Sequence, residues 1–142
     1  MRSERLYSER IVRSYELDSF GHVNNAVYLQ YFEGARNDYM LQRGIAFQDF
    51  KDWGIFPVLY RSELNYKLQA RADDRLIISG VLEFNGKARF TIDHTILRRG
   101  DDTEVCSARL SFAFVDMTTQ KPCRVPRQFI DAFAPRDPNT PR

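Results

Sequence analysis

Between Tyr28 and Tyr39 the apolar residues of this chain recur every three or four positions, whereas after Phe56 they recur at every second position through four successive stretches. One helical-period segment among strand-period segments leaves one economical solution. The single apolar helix stripe must be buried against the apolar face of a sheet. The helix is marked by Tyr28, Phe32, Ala35 and Tyr39 on one face, with Gln30, Glu33, Asn37 and Asp38 on the others. Asn24 or Asn25 stands where a cap is needed, and Arg43 and Gly44 mark the end. These signals predict roughly 18–20 residues, about 27–30 Å at 1.5 Å per residue, and no other long helix.

A first strand is expected from Leu6 to Leu17, followed by the polar turn Asp18–Asn25. A second strand is expected from Phe56, through Val58, Tyr60, Leu64 and Tyr66. Leu76, Ile78, Leu82 and Phe84 lead into Asn85-Gly86, and Phe90, Ile92 and Ile96 lead out, the pattern of a hairpin turning on a dipeptide that tolerates positive φ. Gly100-Asp101-Asp102 makes the next reversal, and Val105 to Val115 supplies a fifth strand. A short amphipathic piece near Phe129 to Phe133 follows. There is neither an internal repeat nor a strand-helix alternation. The expected class is therefore α+β, a five-stranded antiparallel sheet wrapped around one long central helix. With 142 residues the chain makes one domain over 1–134 and leaves 135–142, rich in Pro and charge, as a mobile tail.

Charge and composition narrow the partners. The chain carries 21 basic and 19 acidic residues, interspersed, so there is no basic block to hold a phosphate backbone, and nucleic acid is not expected. No apolar run approaches the roughly 20 residues of a membrane span, and the opening MRSERLYSER lacks the apolar core of a signal peptide, so a cytoplasmic protein is expected. Cys106 and Cys123 read as reduced, packed thiols without chemistry. With only His22 and His94 and no paired-ligand spacing, neither a metal nor a redox cofactor is implied.

Gly-x-Ser-x-Gly, Gly-x-Gly-x-x-Gly and P-loop patterns are all absent. What remains is Asp18, His22, Asn24 and Asn25, gathered within eight residues just before a helix start. Unpaired N–H groups and the partial positive charge there can polarise a carbonyl and stabilise the oxyanion formed on attack. Asp18 is close enough to act as nucleophile or as the base that activates water. The same residues also fit a plain turn, with Asp18 in an Asx motif and Asn24 as a cap. His22 alone reads as a turn histidine, and His94 as a satisfied interior or interface residue.

The stretch from Val12 to Arg36, with Asp18, Gly21-His22-Val23-Asn24-Asn25, Tyr28 and Phe32-Glu33-Gly34-Ala35-Arg36, resembles the signature of hotdog-fold thioesterases of the 4-hydroxybenzoyl-CoA thioesterase type. Gln69-Ala70-Arg71-Ala72-Asp73-Asp74 resembles that family's link before the third strand, with Gln69 where Pro is usual. Val115-Asp116 and Val125-Pro126 resemble its last strand end and exit, so the likeness runs from about Arg10 to Phe133. It implies hydrolysis of an acyl-CoA thioester, with Asp18 as the catalytic carboxylate and the Asn25 backbone N–H directed at the thioester oxygen. It also implies that His22 and Asn24 orient the catalytic groups, as in related acyl-ACP thioesterases, and that Gly21 lets the backbone approach the ligand. Glu33, more than two turns into the helix, reads as a partner of Arg36 and not as the catalyst.

Tyr28, Phe32, Phe47, Trp53 and Phe56 are candidates to line an acyl pocket. Arg61, Lys67, Arg71, Arg89, Arg98 and Arg99 are available for CoA phosphates, none singled out. The resemblance further implies a homodimer or homotetramer with the site at a subunit interface, and the surplus of aromatics and the outer-face residues Ile77, Val81 and Leu97 accord with one. Hydrolysis of acyl-ACP and non-catalytic binding of an acyl thioester are the rival expectations.

Overall fold

In a computed structural model, which describes residues 1–137 and 139, the elements run β1 (Leu6–Ile11), a single 3-10 turn (Ser14–Glu16), α1 (Val27–Gln42), α2 (Phe47–Trp53), β2 (Ile55–Tyr66), β3 (Arg75–Asn85), β4 (Arg89–Arg98), β5 (Glu104–Asp116) and α3 (Arg127–Phe133). The strands form one antiparallel sheet in the order β1-β3-β4-β5-β2. The expected α+β class and five-stranded antiparallel sheet are present. The long helix is shorter than expected, at 16 residues, and two seven-residue helices accompany it. The tail expected to be mobile lies partly outside the described residues, since 138 and 140–142 are not among them.

α1 buries Tyr28, Tyr31, Phe32, Ala35, Tyr39 and Met40 against the sheet, the stripe its period specifies. Neither Asn24 nor Asn25 is its cap. The cap position is Ala26, while Asn24 acts two residues earlier: its Oδ1 accepts the Ala26 N–H at 3.0 Å and its carbonyl accepts that of Val27 at 2.9 Å. β1 stops at Ile11, six residues short of Leu17. Val12 N–H turns to the Asp74 carbonyl at 2.9 Å, and the Glu16 carboxylate accepts the Arg13 N–H at 2.7 Å, which closes a 3-10 turn.

The hairpin also differs from expectation. Asn85 pairs with Arg89, so Gly86, Lys87 and Ala88 form a three-residue loop in which Gly86 alone has positive φ, 75°. Tertiary contacts select that loop, because the Ala88 and Lys87 carbonyls accept the Phe114 and Val125 N–H groups at 2.9 and 2.8 Å.

α2 follows from a weak signal, the Asp49 carboxylate accepting the Ala46 N–H at 2.7 Å and Gly54 in the left-handed conformation at the other end. α3 seals one end of the core. Phe129 sits 5.0 Å from Phe114 and 5.3 Å from Phe90, centroid to centroid, and both Phe129 and Phe133 are fully buried.

Gly80 of β3 leaves room for a side chain of α1. A Cβ there would lie 2.6 Å from Cε2 of Tyr39, which is fully buried and donates its hydroxyl to the Ile78 carbonyl at 3.2 Å. Gly80→Ala is expected to lower stability by about 1–3 kcal/mol, the usual cost of overpacking. Urea unfolding checks this, and an unchanged midpoint would mean that Tyr39 yields freely.

Candidate active site

The Asp18 turn is built by its own side chain. Asp18 Oδ1 accepts the N–H groups of Phe20 at 2.9 Å and His22 at 3.1 Å. The Asp18 N–H donates to the His22 carbonyl at 2.7 Å, and Gly21, at φ 79°, lets the four-residue reversal close. The turn is tied down on both sides, by Asn24 N–H to the Glu16 carbonyl at 2.9 Å and Val23 N–H to the Ala70 carbonyl at 2.9 Å. No donor among the described residues reaches Asp18 Oδ2. The half-buried carboxylate thus has one oxygen held and one available.

Asp18, His22, Asn25 and Tyr28 line one cleft of about 220 Å3, together with Tyr66, Lys67, Leu68 and Gln69 from the end of β2 and the segment after it. The Tyr66 hydroxyl donates to the Asn25 carbonyl at 3.2 Å, which fixes the peptide at the start of α1. The Asn25 N–H donates to no group among the described residues. The Tyr28 hydroxyl accepts the Ala70 N–H at 3.4 Å, and burial pushes the phenols of both Tyr28 and Tyr66 up, so both stay protonated. A carboxylate and an unpaired N–H just ahead of a helix, from two residues lining one cleft, are a pair able to drive attack on a polarised carbonyl and hold the charge that forms.

Other expected site residues lie elsewhere. Phe32 is fully buried, 4.8 Å from the His94 ring, and belongs to the core. Asn24 and Gly21 shape the turn without lining the cleft. Phe47 and Phe56 pack together at 5.5 Å, with Phe50 between Phe56 and Trp53, beside a groove formed by Asn37, Met40, Leu41 and Ile45 at the other end of α1. Within one chain they cannot serve the Asp18 cleft, because a 16-residue helix separates the two ends by about 24 Å.

Glu33 lies 3.9 Å from Arg36, its expected partner. Val81 is only 8% exposed within one chain, so the outer sheet face needs less cover than its sequence suggests. The β2-end residues were missed as site residues. Their signal was Tyr66 closing an alternating strand just before the Gln69–Asp74 link.

Burial pushes the Cys106 thiol up to about 12, which makes it unreactive. Among the described residues no three His, Cys, Asp or Glu side chains converge as metal ligands, and no helix is long and apolar enough to cross a membrane.

A sequence model of the thioesterase-like superfamily matches residues 12–133. The long-chain acyl-CoA thioesterase FadM of Escherichia coli (strain K12) is 35% identical over 111 residues, 78% of this chain and 83% of that protein. The chloroplastic acyl-acyl carrier protein thioesterase ATL3 of Arabidopsis thaliana is 30% identical over 122 residues, which span 86% of this chain and 64% of that protein. Among solved structures, a 1,4-dihydroxy-2-naphthoyl-CoA thioesterase from Synechocystis superposes with a TM-score of 0.88 over 97% of this chain and all of its own, at 19% identity, a likeness of fold. The superfamily match covers the Asp18 turn, α1 and strands β2 to β5 together, and the chain belongs to the thioesterase-like superfamily as a hotdog-fold thioester hydrolase.

Proposed function

We propose that the protein is an acyl-CoA thioesterase in which Asp18 drives hydrolysis and the start of α1 polarises the thioester carbonyl. The observation that carries this reading is that Asp18 and Asn25 line the same cleft, Asp18 with Oδ2 unengaged and Asn25 with its N–H unpaired among the described residues. With the thioester oxygen at that N–H, Asp18 either attacks the carbonyl carbon or takes a proton from the water that does. The tetrahedral oxyanion forms at the helix start, where the partial positive charge lowers its energy. The C–S bond then breaks and the thiolate takes up a proton to leave as CoA; with Asp18 as base the free acid remains, and with Asp18 as nucleophile a water then hydrolyses the acyl-aspartyl anhydride, releasing the acid and restoring the carboxylate. His22, on the same wall, orients the reacting groups. The FadM relationship favours a CoA carrier, and ATL3 keeps acyl-ACP as the second reading.

A cleft of about 220 Å3 falls below the ~300–1,000 Å3 of a self-sufficient ligand pocket, which fits a site completed by a second copy. The open edge beside it is β2, twelve residues long, with Val58, Leu59, Tyr60 and Tyr66 exposed. A long apolar edge strand is a template for pairing. Sedimentation is expected to give a dimer or tetramer, and Val58→Lys with Tyr60→Lys is expected to yield monomers with activity reduced at least about tenfold through like-charge repulsion at the edge. Fully active monomers would reject a shared site.

Free-thiol release from short, medium, long and aromatic acyl-CoAs, run beside the matching acyl-ACPs, tests the function itself. Turnover of CoA thioesters is expected. Faster turnover of carrier-protein thioesters would select the second reading, and retention of thioester without turnover would make the chain a binder.

A further inference from the structure

Across the Ser14–Glu16 turn from the Asp18 cleft lies a second cleft, about 520 Å3 against about 220 Å3, between β1, the start of β3 and the outer side of α1. Four arginines line it, Arg10, Arg13, Arg75 and Arg99, against two acids, Glu9 and Glu16, together with buried Tyr31 and Leu76. Two of the arginines are neutralised within the chain. Arg10 meets Asp38 at 3.0 Å and Arg99 meets Glu9 at 3.2 Å.

Arg13 and Arg75 have no carboxylate within salt-bridge distance among the described residues. Glu16, the acid nearest Arg13 in the chain, makes no ion pair with its guanidinium: one of its oxygens accepts both the Arg13 N–H at 2.7 Å and the Tyr31 hydroxyl at 3.0 Å. Arg10 is held in place by Ser8, the Glu9 carbonyl and Asp38, and its guanidinium lies against Gly34 of α1 where any Cβ would collide with it.

A concave surface with two uncompensated guanidiniums beside two anchored ones favours an anion of more than one charge, and planar guanidinium suits phosphate oxygens. The lining includes Tyr15, which is 84% exposed. A flat base can stack on such a ring. We propose that this cleft binds a nucleoside phosphate, with Arg13 and Arg75 holding the phosphate and Tyr15 the base. The site is separate from the hydrolytic cleft. Only the option that its occupant is the nucleotide end of a CoA thioester rests on the function proposed above.

The test is calorimetric titration of the full chain with adenosine 3′,5′-bisphosphate, and separately with inorganic phosphate and adenosine. The bisphosphate is expected to bind once per chain, more weakly at high salt, and about tenfold or more weaker in Arg13→Ala and in Arg75→Ala. Both side chains are exposed, so these variants should fold, and unchanged urea midpoints verify it. Absence of binding to the wild type, or undiminished binding to the double variant, overturns the proposal.

Kinetics then separate two sources of the ligand. If the double variant raises KM for a CoA thioester but leaves that for the matching pantetheine thioester, which lacks the nucleotide, the occupant is the substrate's own nucleotide. If bisphosphate binding is lost while both KM values hold, the occupant is a free nucleotide. Because calorimetry needs no turnover, the binding result stands or falls apart from the thioesterase reading.

Discussion

Asp18→Asn is expected to reduce thioester hydrolysis by at least ~100-fold in kcat while leaving the fold intact, the range expected for loss of a general base or nucleophile. The amide keeps an oxygen at the position of Oδ1 and can still accept the Phe20 and His22 N–H groups that shape the turn. What disappears is the second carboxylate oxygen and the negative charge. Asp18→Ala makes the contrast, since it also strips both acceptors from the turn and should lower stability by about 1–2 kcal/mol. Thiol release at matched folded concentration, with urea unfolding of both variants, reads the two effects separately. If Asp18→Asn keeps wild-type turnover, the base is another group and the mechanism proposed for this cleft fails.

The second large effect concerns His94, on the face of β4 that packs under α1. It is 2% exposed, lies 4.8 Å from the Phe32 ring and 5.8 Å from that of Tyr39, and its Nδ1 faces the Ser79 carbonyl at 3.3 Å. A carbonyl only accepts, so the proton sits on Nδ1. Nε2 is then an acceptor, buried without a partner. Burial dominates, with the Arg36 charge adding to it and the Ser79 carbonyl and Asp93 opposing, and the imidazole is pushed down to about 3.

The unfolded chain protonates His94 near its ordinary 6.5, the folded chain only near 3, so between these values the unfolded state binds the extra proton. Stability therefore rises with pH across this window and is level above it. At about pH 5 the loss from this group is about 2 kcal/mol relative to neutral pH, at ~1.4 kcal/mol per unit. His94→Leu, which keeps an apolar side chain between Phe32 and Tyr39, should abolish that slope in urea unfolding at several pH values. An undiminished slope would assign the acid sensitivity to another group.

Much of the fold and half of the candidate site could be read from residues close together in the chain. The α1 stripe, the alternating strands and the Asp18 turn all depend on contacts within a few positions, so spacing alone carries them. The β1 end and the Gly86 loop departed from expectation where a distant segment intervened: Asp74 at Val12, Phe114 and Val125 at the loop carbonyls. The same cause removed Phe32 from the site. A residue on an amphipathic stripe is apolar whether it meets substrate or core, and here the sheet brings His94 against it.

By itself, then, the sequence determined the order of the five strands and the long helix, the antiparallel class and the carboxylate turn ahead of that helix, because periodicity and short-range hydrogen bonding are local properties of a chain. Tertiary structure alone decided that Tyr66 would fasten the helix start, that Phe47 and Phe56 would gather at the far end of α1, and that Arg13 and Arg75 would face one cleft. The first and last of these join segments tens of residues apart, and all three depend on how the sheet packs against α1, an outcome that no local pattern encodes.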